Sequence, residues 1–108
     1  MITSKISMAM LGVLLLCSAP SRAEDYVLTL KDHQFSPANL AMPANQKIQL
    51  IVKNLGPDKA EFESSDLDRE QVVDVNGQIT VYLGPLDPGA YGYFDDFHRE
   101  TTGTITAK

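Results

Sequence analysis

The chain has 108 residues, 44% of them hydrophobic, with a formal net charge of −5 and a single cysteine, Cys17. That length fits one domain, and one cysteine excludes an internal disulfide. The acidic balance argues against nucleic acid or an anionic lipid surface as a partner.

The first segment reads as an export signal. Lys5 supplies a positive start, Ile6 to Leu16 is apolar, and Ser21-Arg22-Ala23 is a small-x-small cleavage site before Glu24-Asp25. This predicts a Sec-type signal peptide over residues 1–23, shorter than the roughly 20 apolar residues that a spanning helix needs. The expectation is therefore a periplasmic protein with no direct membrane insertion after cleavage. Cys17 raises a lipoprotein alternative, but Leu16 stands where a lipobox carries Gly, Ala or Ser. Residues 24–108 then form the domain, with no cysteine to serve as a disulfide partner or a thiolate ligand. The nine Lys and Arg include Lys5 and Arg22, so this domain sets 14 acidic against seven basic residues, net −7. Such a charge suits a cation or a basic protein surface, although solubility is its plainer meaning.

Strand signals dominate the rest. Tyr26 to Lys31 and Leu40 to Pro43 are short extended runs, separated by Asp32-His33-Gln34-Phe35-Ser36-Pro37. Lys47 to Lys53 alternates with period two and puts Ile48, Leu50 and Val52 on one face. Gln78 to Leu83 does the same with Ile79, Val81 and Leu83. Asn76-Gly77, after Val73-Asp74-Val75, is a hairpin signal. Ser64 to Glu70 is the one helix-like piece, with Ser65 placed to cap a single turn. Seven or eight short strands with turn residues between them predict an all-β Greek-key sandwich.

The chain closes on Tyr91-Gly92-Tyr93-Phe94-Asp95-Asp96-Phe97-His98, then Thr101-Thr102-Gly103. This resembles the metal loop of blue-copper proteins, which reads Cys-x-x-His-x-x-Met-x-Gly. Here Asp95, His98, Thr101 and Gly103 hold those four positions. Further pieces extend the likeness: Lys31-Asp32-His33-x-Phe35-x-Pro37, Pro43-Ala44-Asn45, Lys53-Asn54-Leu55, Glu61-Phe62-Glu63-Ser64, Leu67-x-Arg69-Glu70, and Gly84-Pro85-Leu86-x-Pro88-Gly89-x-Tyr91. The ordered set resembles the cupredoxin-like domains of bacterial periplasmic iron-uptake systems, the EfeO-type or ferrous-iron-transport cupredoxins. It departs from them at Asn45 and Arg99.

The resemblance implies a cupredoxin-like fold and a metal site built from Glu61, Asp95 and His98, with Thr101 at the weak axial position. Glu61 falls where the first histidine ligand would follow Asn54. Glu63, two residues on along an extended segment, points the same way and is a candidate second carboxylate. Two carboxylates and an imidazole favour Fe(II), Fe(III), Mn(II), Zn(II) or Cu(II), with iron or Cu(II) foremost, and no blue-copper centre forms without a thiolate. Plainer readings stand beside these. His98 can pack on Phe97, Asp95 can be a turn-former with Asp96 as its substitute ligand, and Glu61 and Glu63 can be solvated edge charges. His33, between two early strands, reads as a surface histidine away from the metal end.

Three functions follow as expectations. A metal-binding module can capture, relay or help oxidise ferrous iron beside a membrane iron permease or other periplasmic iron-uptake components. Ferroxidase turnover is the one enzymatic reading, and a lone site without cysteine gives it a poor electron path. The alternative is a metal-free acidic sandwich acting as an adaptor subunit of a transport complex.

Overall fold

A computed structural model describes residues 24–108; the expected signal peptide over residues 1–23 and Cys17 lie outside the described residues. Nine strands run in chain order: β1 (Glu24–Lys31), β2 (Gln34–Ser36), β3 (Asn39–Met42), β4 (Ile48–Asn54), β5 (Ala60–Ser64), β6 (Arg69–Val73), β7 (Gln78–Leu83), β8 (Gly89–Asp95) and β9 (His98–Ala107). They form a four-stranded sheet, β2-β1-β4-β7, and a five-stranded sheet, β3-β9-β8-β5-β6. The result is the all-β sandwich that the alternating runs predict.

Period-two alternation makes both inner faces. Ile48, Leu50 and Val52 of β4 are buried, as are Leu28 and Leu30 of β1, while Val27 stays exposed. Phe62, Tyr93 and Ile105 supply the facing layer. Burying each such side chain contributes about 1.5–3 kcal/mol, so the two sheets have ample reason to close on one another.

The same alternation carries polar groups inside at one end. Asn54 is in phase with Val52, and Asp95 with Tyr93, so the strands that bury the core also bury an amide and a carboxylate. Both lie at strand ends, where loops gather. Because β1 runs parallel to β4 with Leu30 opposite Asn54, the turn after β1 and the loop after β4 emerge side by side. Two backbone bonds tie them, Leu55 N–H to Leu30 O at 2.7 Å and Asp32 N–H to Gly56 O at 2.9 Å.

Two local expectations are corrected. The Asn76-Gly77 turn does not close a hairpin, because β6 and β7 belong to different sheets. Asn54 captures it instead: Asn76 N–H donates to Asn54 O and Asn54 N–H to Gly77 O, at 2.8 and 2.9 Å. The segment after Ser64 is no helix either. Residues 65–68 form a turn joining β5 to β6, and Ser64 rather than Ser65 supplies the hydroxyl that accepts Leu67 N–H, at 3.0 Å.

Candidate metal centre

The loop end of the sandwich brings two distant imidazoles together. His33 sits in the two-residue turn between β1 and β2, where Asp32 and His33 both take left-handed backbone angles, φ 51° and 62°. That geometry matches the twist of an antiparallel pair, and histidine is among the non-glycine residues that tolerate it. His98 opens β9. The two rings stack with centroids 4.1 Å apart and planes 26° from parallel.

Asp58, in the loop after β4, joins them. Its Oδ2 lies 2.7 Å from His33 Nε2 and 3.9 Å from His98 Nε2. The loop is shaped by Asn54, whose buried amide donates to Asp58 O at 2.7 Å and to Val73 O at 3.0 Å and accepts Gly56 N–H at 2.9 Å. The three side chains are 42%, 53% and 26% exposed for His33, Asp58 and His98, open enough for an ion to enter.

The donor atoms of His33, Asp58 and His98 all lie within 4.8 Å of one another. Ligand bonds of about 2.0–2.2 Å put tetrahedral donors roughly 3.3 Å apart. The observed 2.7 and 3.9 Å fall on either side of that spacing; the shorter is a His33–Asp58 hydrogen bond, whose proton an entering ion displaces as the side chains rotate around it. Two imidazoles and one carboxylate suit a borderline divalent ion and leave further positions for water.

The sequence pattern of the cupredoxin-like domain family matches residues 6–107. The chain belongs to that family. "Uncharacterized protein RP394" of Rickettsia prowazekii (strain Madrid E) is 41% identical over 88 residues, covering 78% of this chain and 70% of its own. Among solved structures, auracyanin B superposes with a TM-score of 0.68 at 15% identity, over 83% of this chain and 92% of its own. The metal-binding domain of the Cu(I)-exporting P-type ATPase CopA of Streptococcus pneumoniae D39, solved with Cu(I), gives 0.67 at 9% identity, over 78% and 84%. At those identities the two structures share the fold alone.

This cupredoxin-like domain has no thiolate for a type 1 copper centre at its closing loop. The described residues contain no cysteine, and Asp95 lies three residues before His98, at the end of β8. Its side chain is 2% exposed. Oδ1 accepts Glu61 N–H and Phe97 N–H, each at 3.0 Å, while Oδ2 faces His98 Nδ1 at 3.1 Å. Thr101, the expected axial residue, is buried and donates its hydroxyl to His33 O at 2.9 Å.

The four residues singled out for a metal do not share one centre. His98 joins His33 and Asp58, Glu61 and Glu63 join Glu70, and Asp95 belongs to neither group although it touches His98. Strand parity separates them: Ala60, Phe62 and Ser64 face the core, which turns Glu61 and Glu63 to the outer face. There Glu63 lies opposite Glu70 across the β5–β6 pair. Partial burial, with Glu70 and Asp96 beside it, raises the Glu61 carboxyl above its ordinary value. Partial burial, then Asp96 and Glu70, does the same to Glu63. Asp96 itself pairs with Arg99 at 2.6 Å.

His33 is the correction. It is exposed, as expected, but it is not remote from the loop end: the parallel β1–β4 pairing sets its turn beside the Asp58 loop, and the bond from the Thr101 hydroxyl to His33 O ties that turn to β9, where its ring stacks on His98. Asp58, not Glu61, is the acidic residue after Asn54 that lies beside the imidazoles. No local pattern marks His33 or Asp58 as part of a site: the Asn54 amide folds the next four residues back over the strand end, and the long-range β1–β4 pairing brings the His33 turn to them.

Proposed function

We propose that this protein is a periplasmic cupredoxin-like module that binds a divalent cation through His33, Asp58 and His98. Its finer role is to capture ferrous iron and pass it to a membrane iron permease. The observation that carries the reading is the convergence of two imidazoles on one carboxylate at the loop end. Family membership and the borderline-to-hard donor set support it. The resemblance to iron-uptake cupredoxins supports the choice of iron, with Cu(II) the competing ion.

Calorimetric titration of residues 24–108 with Zn(II), Cu(II), Mn(II) and anaerobic Fe(II) tests binding, alongside His33→Ala, Asp58→Asn and His98→Ala. One ion per chain, with binding lost in each variant, is the expected result. Equal binding by wild type and all three variants would remove the site. Because Cu(II) outbinds Fe(II) at almost any nitrogen and oxygen site, the iron assignment is tested by the metal that the protein carries when isolated from its native compartment without added metal: iron at one ion per chain is expected, and copper or zinc with no iron would sink the iron role and leave the cation site intact.

A further inference from the structure

The Asp95 carboxylate is almost wholly shielded from solvent and faces the His98 ring. Oδ1 is used by two backbone amides, Glu61 N–H and Phe97 N–H. Those bonds fix the carboxylate plane, and fixing the plane aims Oδ2 at His98 Nδ1, 3.1 Å away. A carboxylate oxygen can only accept, so the hydrogen of that contact sits on the ring. A neutral imidazole with its proton on Nδ1 carries its lone pair on Nε2. In this structure Nε2 is the atom of His98 directed towards Asp58.

We infer that Asp95 is a positioning residue that sets the tautomer of His98, holding the proton on Nδ1 so that Nε2 is free to take the cation. The inference deepens the proposed His33–Asp58–His98 site and rests on it for the identity of the ligand atom. A ligating imidazole whose second nitrogen donates to a carboxylate is fixed in orientation and made more basic. Asp95 is well suited to this duty because burial keeps water from competing for Oδ2. Thr101 does a parallel service at the other ring, by holding the His33 carbonyl rather than the imidazole.

Asp95→Asn separates this role from a purely structural one. The amide oxygen still accepts from Glu61 N–H and Phe97 N–H, so the backbone bonds survive. The amide nitrogen now donates to His98 Nδ1, which forces the ring proton to Nε2 and blocks the ligand atom. Long-range nitrogen–proton NMR on the metal-free domain reads the tautomer directly, without relying on metal binding. Wild type should show His98 protonated at Nδ1, and D95N should show it protonated at Nε2. Zn(II) affinity should fall roughly 10–100-fold in D95N, the range typical of lost supporting carboxylates.

A wild-type His98 protonated at Nε2, or an even mixture, would overturn the inference even if D95N does not fold. So would a D95N domain whose tautomer inverts while Zn(II) binds as in wild type. If wild type binds no metal while His98 is protonated at Nδ1, the proposed site fails and the tautomer assignment stands.

Discussion

The stacking of His33 on His98, 4.1 Å between centroids, joins the first turn of the domain to its last strand. Thr101 anchors the carbonyl of one residue and Asp95 faces the ring of the other. If both rings ligate one ion, His33→Ala and His98→Ala should weaken Zn(II) binding by similar factors, each more than about 100-fold, or ~2.8 kcal/mol. The double variant should lose little more than either single one. Full additivity in the calorimeter would mean the two rings act on separate ions.

Asn54 is the keystone of the Asp58 loop. Its amide serves Asp58 O, Val73 O and Gly56 N–H while being almost wholly buried. Asn54→Ala leaves three backbone groups without those partners, at about 1 kcal/mol for each lost bond. For a domain of this size that predicts a fall in Tm of at least ~10 °C. Metal affinity should fall too, since Asp58 loses its tether. A variant that melts like wild type and binds like wild type would show that the loop holds itself.

Thr101→Val tests the second tether with little change in shape. The valine leaves His33 O without the 2.9 Å bond from the hydroxyl, inside a buried position. A loss of about 1 kcal/mol in stability is expected. The β1–β2 turn, whose residues already sit at left-handed angles, should become freer. Amide hydrogen exchange at Asp32 and His33 should quicken while exchange in β4 stays as in wild type. Unchanged exchange at the turn would leave Thr101 a packing residue.

The outer-face carboxylates give a pH dependence of defined sign. Glu61 and Glu63 are both raised above their ordinary 4.5 by partial burial and by acidic neighbours, with Arg99 partly opposing this at Glu63. A raised carboxyl means that the folded state binds more protons than the unfolded one. Its contribution to stability is fully present below the ordinary carboxylate range and is lost as pH rises through the raised value. Glu63→Gln should therefore stabilise the domain relative to wild type near pH 7, with the difference shrinking towards roughly pH 4. Thermal melts of both proteins across that range decide it, and a difference independent of pH would contradict the assignment.

Much of this was legible in the chain. Period-two runs at Ile48, Leu50 and Val52 identify an inner face whatever the topology, because burial follows the pleat. The order of strands between sheets was not: Asn76-Gly77 has the composition of a hairpin turn, yet Asn54 redirects it from one sheet to the other. The loop spacing singles out His98, which the structure sets beside His33 and Asp58. His33 and Asp58 were not legible, because their meeting depends on the parallel β1–β4 pairing, a long-range choice that no local pattern records. Glu61 and Asp58 are both acidic residues shortly after Asn54, and only strand parity shows that Glu61 faces outward.

Tyr93 carries the last prediction. Its ring is buried between Phe35 and Phe62, at centroid distances of 4.9 and 5.3 Å, and burial pushes the phenol up to about 12. Among the described residues the hydroxyl finds no hydrogen-bond partner. It lies against Gly103, where an added Cβ would collide with the Tyr93 ring and hydroxyl. A buried hydroxyl without a partner forfeits its bond to water on folding, about 1–3 kcal/mol against the native state. Tyr93→Phe keeps the ring contacts and removes that penalty, so the variant should be as stable as wild type or more so. Gly103→Ala should instead destabilise by about 1–3 kcal/mol through overpacking. In the Tyr93→Phe background, Gly103→Ala should lose less, because one of the colliding atoms is gone. A Tyr93→Phe domain that melts well below wild type would mean the hydroxyl has a partner in solution.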